Sequence, residues 1–373
     1  RDFDNQGMTA GGPMYTIERG LGIKWRWLAI IFACFAVICS FATGNAIQSF
    51  TLSDQLYSEV TQMVGSEHWL TLKHQLTDWY AVSIQQVING TFIAGIAGLV
   101  IIGGIKRIGN VTSFLAPFMA AIYFIAAVLI LLANIVDVPA AFGKIFSMAF
   151  NPPAAVGGVA GGTLLVIMNT MLWGVKRGLY SNEAGQGSAP IAHSTAKTEY
   201  PVREGVVALL EPFIDTIIIC TLTGLTIIVT GTWHHTEFYT TRIDPAFAGE
   251  LLNGSLLTSL AFKTGLSWIF PYGDKIITLG VLLFAISTVI SWSFYGDRAT
   301  EYLFGEESIP TYRMFYILFV FIGAIASLEV IWSFGDAALG FMTFPNLISI
   351  ILLSGVLKKM TNDYFSMEHK AYK

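Results

Sequence analysis

Apolar residues in this chain follow neither the alternation of a half-buried strand nor the stripe of a surface helix. They run on without interruption. Eight stretches of this kind are almost free of charge: Trp27–Ile47, Ala81–Gly104, Phe114–Ile135, Val156–Gly174, Gly205–Thr230, Ile276–Tyr295, Met314–Trp332 and Ala337–Leu357. About twenty apolar residues, rising 1.5 Å each, cross the hydrocarbon core of a bilayer. The pattern therefore predicts eight transmembrane helices and an all-α polytopic membrane protein. Barrel strands would alternate polar and apolar over about ten residues. Pro139–Phe150 is too short and too mixed to cross, and is expected at the interface or outside.

Composition agrees. Of 373 residues, 54% are hydrophobic and 12% charged, and the mean hydropathy is +0.62. Soluble domains carry about twice that share of charge. A net charge of −4 gives nucleic acid nothing to bind. Cys34, Cys39 and Cys220 all lie in apolar runs and read as small core residues, not as a disulfide frame or metal site. Residue 1 is Arg, with no signal peptide after it, so a longer protein is expected to precede it.

Charge also sets the orientation. With the first loop inside and the spans alternating, sixteen of the 21 Lys and Arg residues fall inside and five outside. The positive-inside rule thus places both ends of the chain in the cytoplasm, with external loops at about 50–80 and 231–274.

Several uncharged polar residues interrupt the spans. Asn45 and Gln48, spaced i, i+3 at the end of span one, share a helix face. They fit either interhelical hydrogen bonding or a binding site. Span four opens with Gly157, Gly158, Gly161 and Gly162 and carries Asn169 in its middle. Such a glycine-interrupted segment fits a broken helix with free backbone groups, or equally a close helix crossing. Glu211 and Asp215 sit i, i+4 in span five and fit a proton or cation relay or a structural role. Span six carries Ser287 and Thr288, two adjacent hydroxyls suited to a hard cation or to helix contact, and then Trp292. Pro345–Asn346 in span eight reads as a kink. Neither H-E-x-x-H nor G-x-S-x-G occurs, so an enzyme is not expected. A channel would want a repeated filter or a charged ring.

Between spans four and five lies GLYSNEAGQGSAPIAH (Gly178–His193), polar and glycine-rich between two apolar flanks. With GGPMYTIERGLG, GGIKRIGNVT, AFNPPAAVGGVAGG, AKTEYPVREG, LEPFIDT, WSFYGDRATEYLFG and FPNLI, it resembles the alanine/glycine:cation symporter family along nearly the whole chain. Tyr180 and Gln186 depart slightly from that signature, where Phe and an apolar residue would be expected. The resemblance implies a leucine-transporter-like fold of two inverted repeats. Residues 1–373 would then be one transporter domain that lacks its N-terminal helices, including the unwound first core helix.

It further implies sodium-coupled import of a small neutral amino acid, alanine or glycine, across the cell's inner membrane. Proton coupling is the alternative. Asn45, Gln48, Gly161, Gly162, Asn169 and Trp292 would line the substrate site, and Ser287 and Thr288 would ligate sodium. Ser181, Asn182, Glu183, Gly185 and Gly187 would serve the inner gate rather than the pocket. Beyond amino acid, cation and membrane lipid no partner is implied, and a monomer is expected.

Overall fold

The computed structural model describes residues 2–3, 9–77, 80–150, 160–234 and 255–367. It is helical apart from two short antiparallel hairpins, β1–β2 (Asp2–Phe3, Thr9–Ala10) and β3–β4 (Lys73–Thr77, Tyr80–Ser83). Among the described residues seven helices are long and apolar enough to cross a membrane, one fewer than the eight spans expected. Span four accounts for the difference, since residues 151–159 at its start lie outside the described residues. The chain divides into two compact units. Unit one holds residues 1–112, 183–211 and 285–373; unit two holds 113–182 and 212–284.

Unit one is built on α1 (Pro13–Leu21), α2 (Arg26–Phe41), α3 (Ile47–Val64) and α4 (Ile84–Ile101). Between α2 and α3 the helix does not stop; it widens into a π-turn over Ala42–Ala46. The sequence there is ATGNA, small enough for neighbouring helices to come close. The helix then runs on to Val64, well into the stretch expected to be a loop from residue 50. It contains no glycine or proline until Gly65, and Leu52, Ser53, Gln55, Tyr57 and Glu59 are buried along it. Gly65, at φ 90°, ends the helix. α4 opens with a capping box between Ser83 and Gln86, which satisfies two otherwise free backbone donors.

Unit two holds most of α5 (Gly104–Ala133), with α6 (Val138–Phe150) and α7 (Ala160–Ser181). α6 is the short apolar helix expected not to cross. The signature's α8 (Ala189–His193) and α9 (Pro201–Ala208) belong to unit one. After Leu210–Pro212 a second π-segment, Phe213–Cys220, leads into α10 (Thr221–Val229). α11 (Ser255–Leu266) follows. Phe262 and Leu266 of α11 bury themselves against Ala126, Ala127 and Ile130 of α5, which forms the core of this unit.

α12 (Gly273–Phe304), α13 (Ile309–Ile325) and α14 (Leu328–Ser366) complete the chain. Span seven was expected to reach Trp332. It ends instead at Ile325, where Ala326 and Ser327 are extended, and Ile331 and Trp332 belong to α14. Hydropathy averaged over a span does not see this break, because apolar residues stand on both sides of it. Within unit one α13 packs on α4 and on the π-turn, and α14 packs on α2. Glycine makes these crossings close. A Cβ on Gly323 would lie 2.5 Å from the Ala46 Cα, and one on Gly335 2.7 Å from the Ile47 side chain.

Backbone atoms cannot move aside as a side-chain tip can. Gly323→Ala is therefore expected to cost about 1–3 kcal/mol of stability through overpacking. The purified protein in detergent should unfold at a lower temperature; an unchanged midpoint would refute the close crossing.

Candidate functional site

The π-turn on span one forms the floor of the candidate site. Such single wide turns inside α-helices occur frequently at functional positions. Thr43, Gly44 and Asn45 are all buried. Asn45 donates through Nδ2 to the Tyr316 carbonyl on α13 at 2.7 Å, while its Oδ1 is buried without a hydrogen-bond partner. Gln48 reaches back to the Thr43 carbonyl at 3.5 Å. Tyr316 ties the turn together: its hydroxyl donates to the Val289 carbonyl on α12 at 2.8 Å, with the Gly44 carbonyl at 3.5 Å.

Trp292 lies on bare backbone. A Cβ on Gly44 would come within 2.1–2.4 Å of three Trp292 side-chain atoms. Trp292 is 4% exposed, and its ring meets Tyr295 edge-on at 5.2 Å. Asn45, Gln48 and Trp292 are thus brought together around one turn. Ser287 is buried and Thr288 half-buried on the same helix α12, on the N-terminal side of Trp292.

The signature folds into unit one. Trp292 Nε1 donates to Glu183 Oε1 at 3.1 Å, and Ser188 Oγ donates to Glu183 Oε2 at 2.6 Å. Asn346 Nδ2 donates to the Gly185 carbonyl at 2.9 Å. Gly187, at φ 92°, has no room for a Cβ beside Phe32 and Asn346. Glu183 itself adopts a left-handed conformation, φ 52°, unusual for a residue with a Cβ. The segment was expected to stand apart from the pocket residues; instead Glu183 bonds directly to one of them. Burial pushes the Glu183 carboxyl up to about 7, reinforced by Glu211; the Ser188 and Trp292 hydrogen bonds and His193 oppose the shift.

The other singled-out residues fall elsewhere. Gly161, Gly162 and Asn169 belong to α7 in unit two, where helix is continuous from Ala160 and Asn169 is exposed. No break occurs at Gly161 or Gly162; Gly157 and Gly158 lie outside the described residues. Ser181 contacts Cys220 at 3.7 Å, and Asn182 donates to Thr216 at 2.9 Å. Glu211 precedes the wide turn that begins at Phe213, and Asp215 lies within it. Glu211, 46% exposed, faces His193 Nε2 at 3.7 Å, and Asp215 accepts from Thr216 at 3.2 Å.

Below the site, α12 and α13 exchange charges. Arg313 grips Asp297 with Nε and Nη2 at 2.6–3.2 Å, and Arg298 meets Glu301 at 2.5 Å. Asp297 is fully buried and Arg298 almost so. Sequence reading missed these pairs, together with Gly44, Tyr316 and the role of Asn346. The only local sign was three charges, Asp297, Arg298 and Glu301, in the continuation of span six, with Arg313 at the start of the next helix.

The sequence matches the sodium:alanine symporter family over residues 1–373. The chain belongs to that family. It is 38% identical to the sodium/alanine symporter AgcS of Methanococcus maripaludis, over 98% of this chain and 71% of that protein. It is 39% identical to an uncharacterized transporter of Haemophilus influenzae, over 97% of this chain and 70% of that one. A putative sodium/proton-dependent alanine carrier protein of Bacillus subtilis, YrbD, is 30% identical over 96% of this chain and 68% of its own length. With seven apolar helices, this member of a symporter family is a multi-pass membrane protein.

Two outcomes test the geometry. Gly44→Ala should displace the indole and lower the unfolding midpoint in detergent, because the methyl would meet the Trp292 Cβ and Cγ rather than a mobile tip; an unchanged midpoint would refute the contact. Arg313→Leu should cost about 3–5 kcal/mol by leaving a buried charge unpaired. The Asp297→Leu, Arg313→Leu double variant should recover much of that loss in a detergent melt.

Proposed function

We propose that this chain is the greater part of a symporter that imports alanine or glycine together with sodium by alternating access. The observation that carries the reading is the Trp292 indole on the Gly44 π-turn, beside a buried Asn45 Oδ1 with no partner. A zwitterion needs donors and acceptors but no net charge from its site, and this turn offers them through Asn45, Gln48 and backbone. Asn45 Oδ1 is an acceptor for the substrate ammonium. The indole limits the side chain, which favours a methyl group or a hydrogen. Membership of the sodium:alanine symporter family supports the same cargo.

Sodium prefers oxygen ligands. Ser287 and Thr288 supply two neighbouring hydroxyls without a charge, and in the leucine-transporter-like arrangement this position on α12 faces the cation. Ser181, Asn182, Glu183, Gly185 and Gly187 would form inner-gate structure on the cytoplasmic side. In the inner membrane, with both ends of the chain cytoplasmic, each sodium entering gains roughly 2.3 kcal/mol per 100 mV. Proton coupling is the second reading. Its carrier is better sought at half-buried Glu183, whose carboxyl is pushed up to about 7, than at Glu211, which is half in solvent.

Uptake of labelled alanine into proteoliposomes of the full-length protein should require a sodium gradient. Ser287→Ala with Thr288→Ala should remove that dependence while the protein still folds. Accumulation driven by a pH gradient alone, in sodium-free buffer, would overturn sodium coupling.

A further inference from the structure

We propose that Glu183 is the positioning residue that sets the Trp292 indole, and that its protonation decides whether the indole stays set. The inference rests on the reading of Trp292 as a wall of the amino-acid pocket. Three contacts fix the ring. The Gly44 backbone and the Tyr295 ring pack against it and define its plane. Its one hydrogen bond goes to Glu183 and fixes its direction within that plane.

Glu183 is itself held from several sides. Its second oxygen takes the Ser188 hydroxyl, Asn346 holds the Gly185 carbonyl, and Gly187 packs on Phe32. Ile191, fully buried, lies against Gly12 and anchors the far end of the segment. The segment that follows Glu183 is thus held at Gly185, Gly187, Ser188 and Ile191, which fixes where its carboxyl can lie.

The titratable groups around the carboxyl are Cys39 from α2, Tyr295 from α12, and Glu211 and His193 from the signature's own continuation. Of these, only His193 can carry a positive charge, and its two ring nitrogens face Glu204 at 2.6 Å and Glu211 at 3.7 Å. Burial therefore dominates, and the seated carboxyl titrates near 7 instead of near 4.5. A seated Glu183 binds its proton more tightly than one in water. Seating is thus favoured at acid pH and weakens as pH rises through about 7. The indole should then limit side-chain size strictly at acid pH and loosely at alkaline pH.

The test compares labelled alanine with 2-aminobutyrate uptake by the full-length transporter, at two pH values either side of about 7. The alanine preference should fall several-fold from the lower to the higher pH. Glu183→Gln keeps an acceptor for the indole but cannot ionise, so its preference should stay high at both. Glu183→Ala should be unselective at both. A parallel readout is Trp292 fluorescence in the purified protein, taken as the difference from Trp292→Phe. It should titrate near 7 in the native protein and not in Glu183→Gln, and this comparison stands even if Glu183→Ala does not fold. Fluorescence that does not titrate overturns the proposal. Fluorescence that titrates while preference never changes supports Glu183 as the indole's holder and refutes Trp292 as a pocket wall.

Discussion

An indole resting on the backbone of a glycine is the contact around which unit one is arranged. Trp292 can lie there because Gly44 has no side chain and because the helix widens at that turn. The widening also turns Asn45 toward Tyr316, and Tyr316 in turn binds α12. Three helices are thereby joined through one turn. The close approach of Gly323 to Ala46 depends on the same small residues. In hydrocarbon, helices gain little from apolar attraction to each other. Shape and internal hydrogen bonds must do what the hydrophobic effect does in water, and both converge on this turn.

The signature supplies the fourth element. Its glycines are conformational: Gly185 and Gly187 take left-handed angles that let the segment bend into the unit instead of lying over it. Its carboxylate then meets the indole. A segment that marks the family in sequence is thus also a packing partner of the residue proposed to select the substrate.

Much of the architecture could be read from the sequence because a bilayer demands long apolar runs, and such runs are visible without a structure. Boundaries were less legible for the same reason. α3 continues past Phe50 as a polar helix, where hydropathy falls but nothing breaks the backbone. The break at Ala326–Ser327 has no glycine or proline to announce it. In the site, Asn45, Gln48 and Trp292 stood out as polar or bulky groups in apolar spans. Gly44 and Tyr316 did not, because their importance lies in what approaches them from distant helices. Asn346 was read with its proline as a kink, although its amide holds Gly185. The wide turn from Phe213, which carries Asp215, left no mark in the i, i+4 spacing of Glu211 and Asp215.

The Asp297–Arg313 pair has a consequence for how α12 and α13 stay together. Each charge belongs to a different helix, and only the short turn Gly305–Ser308 separates the two. Asp297 is fully buried, so parting the helices at this end would leave its charge without the guanidinium, at a cost of several kcal/mol. The hairpin is thus fastened twice, once by the chain and once by the ion pair, and its two helices are tied at the end where they meet.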